Sequence, residues 1–295
     1  MDPSVMLRML NVFAWLLFLF QGSEASASVR FAREVHDISN SCMKQDDGIV
    51  LIADQSICVK GPLTSVASGK LATSARALEP LLIQLRSTPS GKRIRLFVSS
   101  VGGHSEAGLE IAEALGKNKF DLYVIDVCAS TCANSLFLAA RRKYILAGAE
   151  IAWHGGVFPN YARFDSFWRA LPADMRKPAR EGQTEAEYKQ SQWDRFLDFR
   201  RRQMALAGSA RTEAIIYYWE RAARCAGPDF RVLHPGLAWR PALNELSGKF
   251  AIKHVKAERA EDFESAVFFP GYYKSAEAIS LEPKCLYGTP FAVGQ

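Results

Sequence analysis

The sequence predicts an α/β fold built on a mainly parallel sheet. Three observations between Arg93 and Gly156 carry this. Short strand-like segments alternate with helical ones, which favours βα units with right-handed crossovers. A glycine pair, Gly102-Gly103, follows the first of these strands. A serine turn, Cys128-Ala129-Ser130-Thr131-Cys132, separates the next strand from its helix, and His154 follows the last strand.

The elements follow in order. Asp47-Gly48 is a turn into a strand over Ile49 to Ile52, and Val59-Lys60-Gly61 opens the next segment. Ala75 to Leu85 reads as a helix with Leu78, Leu81, Leu82 and Leu85 on one face, and Pro80 kinks it or marks its first turn. The polar run Ser87 to Gly91 is a loop. Ile94, Leu96 and Val98 alternate with Arg95 and Phe97, the period of a strand. Gly102 and Gly103 permit positive φ or close backbone approach. Ala107, Ile111, Ala114 and Leu115 recur at helical spacing, predicting a helix over Ser105 to Leu115. Leu122 to Val127 is a short apolar run suited to a buried strand. Ala133 to Ala140 reads as a helix, and Tyr144 to Leu146 and Ile151 to Trp153 as strands. Residues 155–184 read as an insertion rich in aromatics and prolines, offering core packing, a substrate lid or an oligomer contact. Glu185 to Ala207 reads as a long charged helix, and the tail from Phe263 to Gln295 as irregular.

Chemistry is suggested by where the turns fall. A helix N-terminus after Ser130 presents unpaired N–H groups and partial positive charge. A serine there is a nucleophile if a base takes its proton, and it is a plain N-cap otherwise. His154 is the candidate base, because imidazole titrates near neutral pH; its other reading is structural. Amides freed by the glycine turn can face a developing oxyanion, or the pair can serve only as a turn. Cys132 is a second nucleophile candidate, with oxidation or burial as the competing reading.

These residues resemble the Clp protease proteolytic-subunit family within the ClpP/crotonase superfamily. Ser100-Val101-Gly102-Gly103 followed by Ala107-Gly108 is similar to that family's Ser-Pro-Gly-Gly turn and helix. Val101 replaces proline, which predicts a less rigid turn. Ser130 falls at the nucleophile position, Phe137-Leu138-Ala139-Ala140 resembles the helix behind it, and the spacing to His154 is close to the family's. The Cys-x-Ser-x-Cys form is similar to exported bacterial ClpP-like proteins. The resemblance implies a stacked ββα superhelix with a helical insertion, a Ser130-His154-Asp229 triad, an oxyanion hole from the amides of Gly103 and Thr131, and oligomerisation through a helical arm. Asp229 is matched through Pro228-Asp229-Phe230-Arg231-Val232-Leu233-His234-Pro235; a surface turn is its other reading, and Asp165, Asp194, Asp198 and Glu220 compete for the role.

Compartment follows from the ends and the cysteines. Arg8, an apolar run from Met9 to Phe20 and Ala25-Ser26-Ala27 form a signal-peptide pattern over residues 1–27, with an uncleaved anchor as the alternative. Residues 28–262 are then a ClpP-like domain and 263–295 a C-terminal extension. All six cysteines, Cys42, Cys58, Cys128, Cys132, Cys225 and Cys285, lie after that segment. An even count in an exported chain predicts disulfides; six cysteines allow about fifteen pairings, which sequence alone does not decide, and the set expected among them is Cys42–Cys58, Cys128–Cys132 and Cys225–Cys285, with buried thiols as the alternative for some. A periplasmic or secreted location is expected.

Net charge is +6, and losing the signal segment, with one arginine and two acids, raises it to +7. The densest basic run, Arg200-Arg201-Arg202, reads as a solvated face; weak attraction to anionic lipid or cell-wall polymer is the electrostatic alternative. No nucleic-acid-binding signature, metal cluster or phosphate-binding loop is present, so no nucleic-acid partner and no cofactor are expected. The expectation is a ClpP-like serine hydrolase acting on peptides or unfolded protein. A non-catalytic binding or scaffold protein on the same fold is the alternative, and acyl-CoA chemistry is a third reading that export disfavours.

Overall fold

The computed structural model describes residues 30–64, 74–87, 93–117, 119–153, 160–178, 180–208, 225, 238–259, 265–268 and 279–280. Residues 1–27, read as a signal peptide from their sequence pattern, lie outside the described residues, as do His154, Asp229, Glu220 and Cys285.

Helix α1 covers residues 30–43. It leads into the antiparallel pair β1 (Gly48–Ala53) and β2 (Ser56–Lys60). Then come α2 (Ala75–Ser87), β3 (Ile94–Ser100), α3 (Ser105–Leu115) and β4 (Phe120–Ala129). A π-helix, Cys132–Phe137, follows β4, and β5 (Arg142–Ile145) and β6 (Glu150–Ala152) follow it. The remainder is α4 (Tyr161–Ala170), α5 (Glu185–Ala207), β7 (Ala238–Arg240), α6 (Leu243–Gly248), β8 (Val255–Ala257), β9 (Ala266–Phe268) and β10 (Ile279–Ser280).

The main sheet runs β1-β2-β3-β4-β5-β8, and β6 pairs with the second half of β4. From β2 onward every pairing in it is parallel. Alternation of strands and helices requires this, because a crossover helix returns the chain to the same edge. β4 is four residues longer than its apolar run implies, two at each end, and it carries the buried Asp121 and the half-buried Asp126 within it. Asp126 sits where the β3–β4 register shifts, and Ser99 Oγ donates to its carboxylate at 3.0 Å.

The sheet separates two apolar layers. On one face Leu96, Val98, Leu122 and Val124 pack with α2, α3 and the π-helix. Leu78, Leu82 and Leu85 of α2 are buried there, as their spacing predicts, and Pro80 lies inside the helix on its exposed side. On the other face Phe97, Tyr123 and Tyr144 form a stacked ladder across three strands, with ring centroids 4.7 and 4.6 Å apart. Val35, Ile38 and Cys42 of α1 cover that ladder, and the Cys42–Cys58 disulfide ties α1 to β2.

The insertion and long helix form an aromatic arm. Phe164 and Trp168 of α4 are buried, and Trp193 and Tyr188 of α5 contact them. Core packing is therefore what these two rings do, while Phe167 stays 47% exposed. Thr184 starts α5 in a capping box with Glu187. That hydrogen bonding to Thr184 holds the Glu187 carboxyl below its usual range. Arg202 joins the arm to α3 by pairing with Glu106 and, through two nitrogens at 2.9 and 2.6 Å, with Glu113.

The tail read as irregular carries two short strands. β9 and β10 build a three-stranded antiparallel sheet with β7. Reciprocal Trp153–Trp239 backbone bonds of 2.7 Å dock that small sheet at the end of β6. Arg240 and Glu150 form a buried ion pair across the same junction. No helix among the described residues is long and apolar enough to cross a membrane.

Candidate active site

Ser130 closes β4 and opens the helix. Its amide donates to Ala152 of β6 at 3.0 Å, so it still belongs to the sheet. Its carbonyl accepts the Asn134 amide at 2.8 Å, so it already belongs to the helix. Meeting both demands in one residue bends the chain sharply, and Ser130 sits at φ +54°, in the left-handed region. That conformation costs a non-glycine residue roughly 1–2 kcal/mol. An N-cap serine instead has extended backbone, with its hydroxyl accepting a helix amide. Ser130 has neither feature, and among the described residues its hydroxyl has no hydrogen-bond partner.

The following turn is π-helical over Cys132–Phe137, which the apolar spacing of Ala133 to Ala140 does not reveal. Asn134 is the first donor to the helix ladder, so the amides of Thr131, Cys132 and Ala133 precede it. Cys128 and Cys132 are joined by a disulfide with Cα atoms 5.2 Å apart, bracketing Ser130. Cys132 is therefore no thiolate nucleophile. The expected Cys42–Cys58 bond is also present, and Cys225 is disulfide-bonded.

The glycine turn lies against this elbow. A Cβ on Gly102 would come within 2.6 Å of the Ala129 carbonyl, 2.7 Å of Ser130 Cβ and 2.9 Å of the Thr131 amide nitrogen. Only glycine allows that approach. Gly103, at φ +141°, has its own constraint: a Cβ there would meet the Leu63 carbonyl at 2.3 Å. Leu63 donates to Gly102 at 2.7 Å and accepts from His104 at 2.9 Å. Ser100 Oγ accepts the Gly102 amide at 3.2 Å, and Thr131 Oγ1 donates to the Gly103 carbonyl at 3.0 Å. These four bonds hold a turn that lacks the proline. Val101, in proline's place, is 45% exposed and makes no part of that lattice.

Sequence reasoning named Thr131 for its amide and missed its side chain. Gly108 has a similar hidden role, since a Cβ there would lie 2.3 Å from Thr131 Cγ2. The structure thus brings Ser130, Thr131, Gly102 and Gly103 together at the C-terminal ends of β3 and β4. β6 runs alongside as far as Trp153, whose next residue is His154. Neither His154 nor Asp229 is among the described residues.

Three competitors for the acidic role are engaged elsewhere. Asp165 binds Arg169 and Lys189 within the α4–α5 arm, Asp194 accepts from Gln190, and Asp198 pairs with Arg201. Among the described residues, no group of three or more His, Cys, Asp or Glu side chains is placed to hold a metal ion.

Residues 50–157 match the family model described as Clp protease. This segment runs from β1 past β6 and contains the whole Ser130 elbow and glycine turn. It has the ClpP/crotonase-like fold that the resemblance implied. Among solved structures, a point mutant of ClpP1 from Listeria monocytogenes is similar at 18% identity over 70% of this chain and 93% of that chain, with a TM-score of 0.39. No curated protein matches the chain.

Proposed function

We propose, from the Clp protease match of residues 50–157, that this chain is a serine hydrolase acting on peptides or unfolded protein, and, from the N-terminal sequence pattern and the cysteines, that it works in an exported location. The observation that carries the reading is the Ser130 elbow. A serine is held in a left-handed conformation with a hydroxyl uncommitted among the described residues, against a glycine turn and the first amides of a helix. A capping or packing serine has no need of that strain.

In this mechanism Ser130 Oγ attacks the substrate carbonyl while His154 takes its proton. Asp229 orients His154 and stabilises the imidazolium. The carbonyl oxygen becomes an oxyanion held by the amides of Gly103 and Thr131, and each such donor supplies about 2.7–4 kcal/mol of transition-state stabilisation. The intermediate collapses, His154 returns its proton to the leaving amine, and an acyl-Ser130 forms. Water, deprotonated by His154, then releases the acid and restores Ser130. Self-association through the α4–α5 arm is part of the same proposal.

A non-catalytic binding role on this fold is the second reading. The Cys128–Cys132 bond favours it, because it restrains both sides of a serine that is only 8% exposed.

Labelling the oxidised protein with a fluorophosphonate, beside Ser130→Ala and His154→Ala variants, separates the two. An adduct on Ser130, absent from both variants, is the expected result. Absence of any adduct in folded protein would replace the hydrolase with the binding role.

A further inference from the structure

A cavity of about 580 Å³ opens at the edge of the sheet opposite Ser130, near the N-terminal ends of β3, β5 and β8. That volume suits a small-molecule ligand. Arg93, Lys117, Arg141, Lys143, Lys253 and His254 line it, and no carboxylate does so among the described residues.

Two of these cations have structural work. Lys117 Nζ donates to the Ala205 carbonyl at 2.7 Å, near the end of α5. Lys143 Nζ donates to the Ala140 carbonyl at 2.5 Å, at the end of the helix behind Ser130. Three helix C-termini, those of α3, α5 and that helix, reach the cavity. Each carries about half a negative charge. Together with the buried Asp121 carboxylate, which acts on Lys143 from outside the lining, they balance roughly two and a half of the five lysine and arginine charges, so about two and a half remain. The side chains of Arg93, Arg141, Lys253 and His254 have no partner among the described residues.

The wall itself is held at a cost. Ala251 and His254 both lie in the left-handed region, at φ +53° and +57°. The Lys143 amide donates to the His254 carbonyl at 2.9 Å, which staples this loop to β5. Strained non-glycine backbone persists where surrounding structure over-determines it, and it clusters at binding sites. Burial lowers the Lys143 ammonium from its ordinary range to about 8, so keeping that charge in the cavity floor also costs stability.

We propose that this cavity binds a soluble phosphate-bearing anion of at least two negative charges. Guanidinium forks and ammonium groups approaching from several directions match a phosphate's oxygens, whereas a monocarboxylate engages only one or two of them. The site is separate from the Ser130 elbow, at the other end of the parallel strands.

Calorimetric titration of the full chain with inorganic pyrophosphate, at physiological ionic strength, tests this. Saturable binding is expected, weakened about tenfold in Arg93→Gln and again in Lys253→Gln, since hydrogen bonds to charged groups are each of that order. Both residues are exposed, so unchanged circular dichroism is expected of the variants. Absence of saturable heat, or equal affinity in all three proteins, would overturn the proposal. Sedimentation with phosphatidylglycerol vesicles is the second arm. Vesicle binding without a response to pyrophosphate would overturn the soluble ligand and assign the anion to a lipid headgroup.

Discussion

The hydroxyl of Thr131 donates to the carbonyl of Gly103 at 3.0 Å, joining the first residue after the serine elbow to the glycine turn. Two segments 28 residues apart in sequence thereby hold a fixed relation, and each offers an amide to the proposed oxyanion hole. Thr131→Val keeps the shape and removes the donor. Fluorophosphonate labelling of Ser130 is expected to slow about tenfold, with stability reduced by about 1 kcal/mol, the net worth of one hydrogen bond. Thr131→Ser should restore the rate. An unchanged rate in Thr131→Val would show that the bond does not position the turn.

Gly108 and Gly103 report the close approach directly. Gly108→Ala puts a methyl 2.3 Å from Thr131 Cγ2, against the end of a side chain. Gly103→Ala puts one 2.3 Å from the Leu63 carbonyl, against backbone, at φ +141°. Overpacking of this kind costs about 1–3 kcal/mol, and the second substitution adds backbone strain. Urea midpoints should fall in both, and further in Gly103→Ala. Equal midpoints would contradict the packing described.

The two disulfides within the described residues close loops of different length. In the chain-entropy model, Cys42–Cys58, with a separation of 16, stabilises by about 3 kcal/mol, and Cys128–Cys132, with a separation of 4, by about 2 kcal/mol. Paired Cys→Ser variants should therefore lose more at the first bond than at the second. Labelling of Ser130 should respond only to the second, which brackets the elbow. Thermal unfolding and labelling rates measured on both variants decide this.

Lys143 makes stability rise with alkalinity. Its ammonium titrates near 8 in the folded chain because burial disfavours the charge, against an ordinary 10.5. Between those values the unfolded chain binds the extra proton, so stability increases with pH across that window. The full gain is roughly 3 kcal/mol. Lys143→Met should be more stable than the parent at pH 7 and should lose this rise. Parallel pH–stability curves for the two proteins would exclude a desolvated lysine.

Glu150 and Arg240 link the main sheet to the small one, and both side chains are almost fully buried. Removing one partner takes the ion pair away from a buried charge, so Arg240→Met is expected to destabilise by about 3–5 kcal/mol. Glu150→Leu together with Arg240→Met should recover most of that. A double variant no better than the single one, in chemical denaturation, would show that the pair holds the junction by more than charge compensation.

Legibility along the chain followed the range of the interactions. The bounds of α5 could be read because Thr184, Glu187 and the charged run are local signals. α2 and α3 declared themselves through leucine and alanine spacing within one helix face. The helix over residues 30–43 escaped because its buried Val35, Ile38 and Cys42 are few, and what they cover is an aromatic ladder assembled from three separate strands. β7, β9 and β10 escaped for a related reason: strands of two or three residues carry no period, and only pairing across distant segments defines them.

By itself, the sequence determined the parallel α/β class and the order of glycine turn, serine turn and histidine, while the structure chose the Cys42–Cys58 and Cys128–Cys132 bonds among the pairings six cysteines allow. Each follows from side-chain period, turn chemistry or spacing, which act over a few residues. Tertiary structure alone decided that Ser130 is an elbow rather than a cap. That outcome needs Ala152 to hold its amide while Asn134 takes its carbonyl. It likewise decided that Thr131 and Gly108 frame the turn, and that five lysine and arginine side chains from separate segments line one cavity with no carboxylate among the described residues lining it. Those facts depend on distances between segments far apart in sequence, and only packing sets such distances.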